Sequence, residues 1–128
     1  MELNYRDGLI PAVVQDPRTG KVLMLGYMND AAYQKTIETG FVTFYSRSRG
    51  KLWTKGETSG HRLAVREVLI DCDRDALLVR AELSEGGCCH EGFETCFYRK
   101  LTPAGEEIVE ERQFDPAKVY KDKSETRN

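Results

Sequence analysis

Three of the four cysteines fall together at Cys88, Cys89 and Cys96, and the fourth, Cys72, lies in the acidic run Asp71-Cys-Asp-Arg-Asp75. Thiolates beside a histidine, His90, are donors for zinc, whereas carboxylates suit a harder ion such as magnesium. The spacing from Cys89 to Cys96 is not the two-residue spacer of a zinc ribbon and is by itself a weak signal, although a loop can fold both thiols onto one ion. A third ligand then comes from elsewhere, and Cys72 is the one cysteine outside the cluster. Three thiolates and a water would leave an open, catalytic position. Closure by Cys88 or His90 would make the site structural. His90 directly follows a candidate ligand, which makes it a candidate proton carrier. His61 is less informative.

The run Asp71, Asp73, Asp75 resembles the start of an EF-hand loop, with Glu82 at its twelfth position. The match fails at Ala76, where the sharp turn needs glycine, and no helix follows before Gly86 and Gly87. A solvated hairpin tip is one alternative; a magnesium site built from three carboxylates is the other. If the run is extended, its aspartates share one face and Cys72 points to the other. Magnesium and zinc would then lie on opposite sides of the segment.

A third constellation spans residues 46–60. Arg47, Arg49, Lys51 and Lys55 stand among serines, threonines and glycines, including Ser59. Cations, hydroxyls and backbone amides of this kind hold phosphates, although no P-loop pattern is present. Trp53 is either a stacking surface for a base or a core residue.

Several short elements must position these groups. Residues 10–15 and 21–27 flank the turn residues 16–20 and read as a hairpin. Asn29 or Asp30 caps a helix running to Thr39, Gly40 stops it, and Tyr33 and Ile37 at i, i+4 face the core. Strands are expected over 41–45, 65–70 and 76–83, and a further strand resumes at Cys96–Arg99. A short strand is expected within 46–60, and residues 106–112 add an edge strand or short helix. Residues after about Ala117 read as a loose tail. The implied fold is α+β and mostly β, an antiparallel sheet with one short helix.

Composition narrows the function classes. A chain of 128 residues with 40% hydrophobic and 31% charged residues can build one ordinary folded domain. A net charge of -2 supplies no global basic field, which argues against nucleic acid as the partner. The first residues lack the basic and apolar regions of a signal peptide, and no segment has the length of a membrane span. A cytoplasmic protein is expected, in a compartment where metal binding by cysteines is favoured over disulfides.

The motifs Gly8-Leu-Ile-Pro-Ala12, Val22-Leu-Met-Leu-Gly-Tyr-Met28, Ser46-Arg-Ser-Arg49, Leu52-Trp53, Lys55-Gly-Glu-Thr-Ser-Gly60, Asp71-Cys-Asp-Arg-Asp75, Cys89-His90 and Cys96-Phe-Tyr-Arg99 occur in the order of one family. From Gly8 to Arg99 the chain resembles phosphoribosyl-AMP cyclohydrolase of histidine biosynthesis. The resemblance implies an intertwined homodimer, dependent on Zn2+ and Mg2+, that hydrolyses the purine ring of phosphoribosyl-AMP. It implies zinc ligands at Cys72, Cys89 and Cys96, with Cys72 given to a site shared with the partner protomer. It implies magnesium ligands at Asp71, Asp73 and Asp75. Residues 1–101 would be the cyclohydrolase domain and residues 102–128 a charged tail. Cys88 departs from the small inert residue usual there, while the histidine that follows favours Cys89 as ligand. A zinc deaminase is the competing enzyme class, but its His-x-Glu and Pro-Cys-x-x-Cys signature is absent. A zinc-stabilised binding module without catalysis is the competing non-enzyme class.

Overall fold

Alternation along the first strand sets the fold. In β1 (Ile10–Gln15), Ile10, Ala12 and Val14 are fully buried while Pro11, Val13 and Gln15 are half-buried on the other face. An Asp16 turn returns the chain into β2 (Val22–Met28), paired antiparallel with β1 from Ile10↔Met28 to Gln15↔Val22. The Asp16 carboxylate accepts the Arg18 N–H at 2.8 Å, and Gly20 takes the left-handed conformation that closes the turn (φ 79°). The structure, a computed structural model, describes residues 2–57, 59–84, 89, 92–113 and 117.

The helix α1 (Asp30–Thr39) begins and ends at the expected residues. The Asn29 side chain accepts the Ala32 N–H at 2.8 Å, and Gly40 closes the C-terminus at φ 80°. Its rotation differs from the expectation. Ala32 and Thr36 are buried, Tyr33 is half-buried, and Ile37 is 51% exposed. The Thr36 hydroxyl contacts the Ala32 carbonyl at 2.8 Å and accepts the Thr43 N–H at 3.0 Å. This polar tie to the next strand turns Ile37 outward.

β3 (Thr43–Ser46) and β4 (Lys51–Thr54) form a second hairpin, with Phe44 opposite Trp53. The main core lies between this hairpin, the helix and the larger sheet. Gly26 on β2 is required there, because an added Cβ would sit 2.6 Å from the Phe44 ring.

β5 (Leu63–Ile70) and β6 (Leu77–Leu83) complete the larger sheet in the order β2-β1-β6-β5. The fold is α+β and mostly β, with antiparallel pairing except in one place among the described residues. β1 and β6 run parallel, Ala12 opposite Leu77 and Val14 opposite Val79. Hairpin signals reveal only neighbours in sequence, so this long crossover was not legible as parallel.

The segment Cys96-Phe-Tyr98 is not a strand. β7 starts at Arg99 (Arg99–Thr102) and pairs with β8 (Gly105–Ile108), so this hairpin runs across positions 101 and 102. The residues between hold themselves by other means. The Cys96 N–H donates to the Leu23 carbonyl at 2.7 Å, and the Thr95 hydroxyl donates to the Val22 carbonyl at 2.7 Å. Lys21 adds ion pairs to Glu94 and Glu110. Among the described residues, no helix is long and apolar enough to cross a membrane.

Candidate active site

The edge of β2 therefore carries the cysteine segment. Cys89 is 2% exposed and joins Phe93 and Tyr98 in a small apolar cluster beside the main core. The Phe93 and Tyr98 rings stack at 3.8 Å between centroids and 8° between planes. Cys96 is half-buried and packs on the same cluster. A turn closes the segment, with the Cys89 N–H bonded to the Phe93 carbonyl and the Gly92 N–H to the Cys89 carbonyl, each at 2.9 Å. Two thiols seven residues apart thus pack on one small apolar cluster, and thiols are the donor chemistry that zinc takes. His90 and Cys88 lie outside the described residues.

The acidic run is a hairpin tip between Ile70 and Leu77, and it is not extended. The Asp71 N–H donates to the Ala76 carbonyl at 3.1 Å, and the Arg74 N–H donates to the Asp71 carbonyl at 3.0 Å. The Asp71 carboxylate caps the turn by accepting the N–H groups of Asp75 (3.0 Å) and Ala76 (3.2 Å). Desolvation pushes the Asp71 carboxyl up, but hydrogen bonding from the Asp75 backbone and side chain, with the Ala76 and Arg74 N–H groups, outweighs it and holds its pKa below the ordinary value. Arg74 sits in the left-handed region at φ 64°. In such a turn strand alternation does not apply, so the opposite-face argument for Cys72 loses its premise. Cys72 is exposed at the tip, its thiol 3.4 Å from the Asp73 carboxylate.

The carboxylates of this turn suit a hard divalent cation, and a cation already stands there: the Arg6 guanidinium pairs with Asp75 at 3.1 Å. Among the described residues, no three Cys, His, Asp or Glu side chains gather round one point. One chain thus supplies two thiols in one pocket and the third on a separate tip.

The basic constellation divides. Arg47 and Arg49 are exposed at the tip of the β3–β4 hairpin, with Arg47 lying 4.6 Å over the Tyr27 ring. Ser46 orders that tip by accepting the Arg49 N–H at 3.2 Å. Trp53 and Lys55, in contrast, face inward and are 3% and 1% exposed. Trp53 tilts against Phe44 at 5.3 Å inside the core, so its ring offers no open face to a base. Its indole N–H is buried without a partner among the described residues. Ser59 is half-buried and accepts the His61 N–H at 3.2 Å.

An N-terminal arm, residues 2–6, was not anticipated from the sequence. The Asn4 N–H donates to the Arg74 carbonyl at 2.7 Å and its side-chain amide to the Asp73 carbonyl at 2.9 Å. Arg74 Nε in turn donates to the Glu2 carbonyl at 2.9 Å. The available signal was alternation: Leu3 and Tyr5 pack on the core, leaving Asn4 and Arg6 for the opposite side. Tyr5 also contacts Asp30 at 3.3 Å, and burial followed by that carboxylate pushes its phenol up to about 12.

The mostly β domain thus holds two thiols in one small cluster and carries its acidic and cationic side chains on hairpin tips. The family model of phosphoribosyl-AMP cyclohydrolase matches residues 24–98. A phosphoribosyl-AMP cyclohydrolase of Solibacter usitatus is 55% identical over 118 residues, covering 92% of this chain and 94% of the relative. The protein of that name from Desulforapulum autotrophicum is 51% identical over 122 residues, covering 94% and 98%. That from Methanothrix thermoacetophila is 55% identical over 113 residues, covering 88% and 90%. The chain belongs to the phosphoribosyl-AMP cyclohydrolase family.

Proposed function

We propose that this chain is the cyclohydrolase of histidine biosynthesis, opening the adenine ring of phosphoribosyl-AMP at the C6–N1 bond. Similarity over more than nine-tenths of the chain to proteins of that name carries the reading. The substituent on N1 leaves C6 electron-poor and open to water. Water adds at C6, and His90 accepts its proton. As the C6–N1 bond breaks, the C6 hydroxyl becomes a carbonyl and gives up its proton, and N1 takes the proton that His90 had accepted, so the acid and base can be one group. Cys72, Cys89 and Cys96 would hold zinc, whose chemistry is to lower the pKa of a water. Asp71, Asp73 and Asp75 would hold magnesium. Arg47 and Arg49 would take phosphate oxygens, with Ser59 lower in the same loop, while Lys55, which faces inward, is not retained for that role. Base stacking on Trp53 is not retained.

The working unit in this reading is a homodimer in the cytoplasm, where thiols stay reduced. Support for the second copy comes from the outer face of the sheet. Leu25, Val13, Leu78 and Leu69 stand in register across all four strands, with Leu25 38% and Leu69 45% exposed. A second protomer would cover this row. The row ends close to the tip that carries Cys72, so a partner's pocket could receive that thiol.

Purified protein with zinc and magnesium should convert phosphoribosyl-AMP to the ring-opened product, followed by absorbance and mass. No turnover with both metals supplied would overturn the reading.

A further inference from the structure

Tyr27 stands near the C-terminal end of β2, held in the ladder opposite Pro11. β2 is the end strand of the four-stranded sheet, so a neighbouring element can reach round to it. The β3–β4 hairpin does so: the Arg47 guanidinium lies 4.6 Å over the half-buried Tyr27 ring. The backbone that carries Arg47 is ordered. The buried Ser46 hydroxyl accepts the Arg49 N–H at 3.2 Å, and the Gly50 N–H donates to the Ser46 carbonyl at 2.8 Å. Gly50 closes this turn in the left-handed region at φ 66°. Four residues back along β2, the Leu23 carbonyl accepts the Cys96 N–H at 2.7 Å. At the rise of an extended strand these two anchor points lie about 13 Å apart, a span comparable with a nucleotide's length.

We propose that Tyr27 is the positioning residue for Arg47: its ring holds the guanidinium at one end of β2, ready to take a substrate phosphate oxygen, while Cys96 is anchored at the other end. Tyr27 itself touches no reacting atom. A guanidinium can rest its flat face on a ring and still direct its N–H rim at a phosphate. Stacking and phosphate binding therefore use different parts of one group. The ring also limits the rotamers open to a long exposed side chain, so less freedom is lost when the phosphate arrives. The inference rests on Arg47 being a phosphate ligand in the function proposed above.

Steady-state kinetics on the protein supplied with zinc and magnesium tests this. Arg47→Ala should raise the KM for phosphoribosyl-AMP about ten-fold or more, through loss of a charge-assisted hydrogen bond. Tyr27→Leu should raise KM about two- to five-fold with kcat nearly unchanged, the range for an exposed cation–π contact. Tyr27→Phe retains the ring and should retain the KM. In an Arg47→Ala background Tyr27→Leu should add nothing, whereas general damage to the fold would add to the loss. An unchanged KM in Arg47→Ala or Tyr27→Leu, an equal loss in Tyr27→Phe, or additive losses would each overturn the proposal. An NMR titration with AMP needs neither a Tyr27 variant nor turnover. The Tyr27 ring resonances should shift on Arg47→Ala and, in the unaltered protein, as AMP binds; the absence of either shift would overturn the proposal. Turnover of phosphoribosyl-AMP by the unaltered protein would then show that the catalytic reading stands without it.

Discussion

The acidic tip and the thiol pocket are organised in opposite ways. At the tip, neighbours in sequence satisfy one another: Asp71 caps Asp75 and Ala76, and polar groups face water. In the pocket, Cys89, Phe93, Cys96 and Tyr98 meet across longer spacing, and stacked rings keep water out. The tip is held by hydrogen bonds and the arm, the pocket by apolar packing and by anchorage to β2. Polar order can be built on an exposed hairpin end, whereas a thiol pocket needs a core of its own. The two regions together make one catalytic unit only if Cys72 at a tip joins Cys89 and Cys96 in a pocket.

Breaking that union should have the largest effect. Cys72→Ser and Cys96→Ser should each abolish bound zinc and turnover, measured by metal analysis and assay of the purified variants. Mixing Cys72→Ser with a Cys89→Ser, Cys96→Ser double variant under subunit exchange should restore one intact site per mixed dimer, about half activity by two-fold symmetry. No recovery despite proven exchange would separate tip and pocket.

His90→Ala should retain zinc but lose roughly 10²- to 10⁴-fold in turnover, the range for general acid–base catalysis. Near-normal turnover with an unchanged pH–rate profile would remove His90 from the chemistry. Phe93→Ala tests whether the pocket has a true core. It should cost about 3 kcal/mol, the low end for a buried phenylalanine, in denaturant unfolding. A loss below about 1 kcal/mol would show that the rings hold little together.

The smallest effect lies at the tip. Because the folded Asp71 pKa is lowered, its contribution to stability is present above the ordinary value of 3.8. That contribution is lost as pH falls from there through the folded value. NMR titration of the Asp71 carboxyl should find its midpoint below 3.8. A midpoint at or above that value would contradict capping by the Asp75 and Ala76 N–H groups.

Much of this was legible residue by residue. The sequence by itself determined the first hairpin and the Asn29 and Gly40 ends of the helix. Turn residues, caps and strand alternation act over a few positions, so the information is local. Only the tertiary structure decided the parallel β1–β6 pair, the inward turn of Trp53 and Lys55, the outward turn of Ile37, and the arm across Asp73 and Arg74. Each depends on which distant surfaces meet. Several apolar strands could pair with β1 on pattern alone, and one threonine hydroxyl reaching Thr43 outweighed an isoleucine's preference for the core. Such choices depend on hydrogen bonds and burial across the whole chain, which no short stretch of residues specifies.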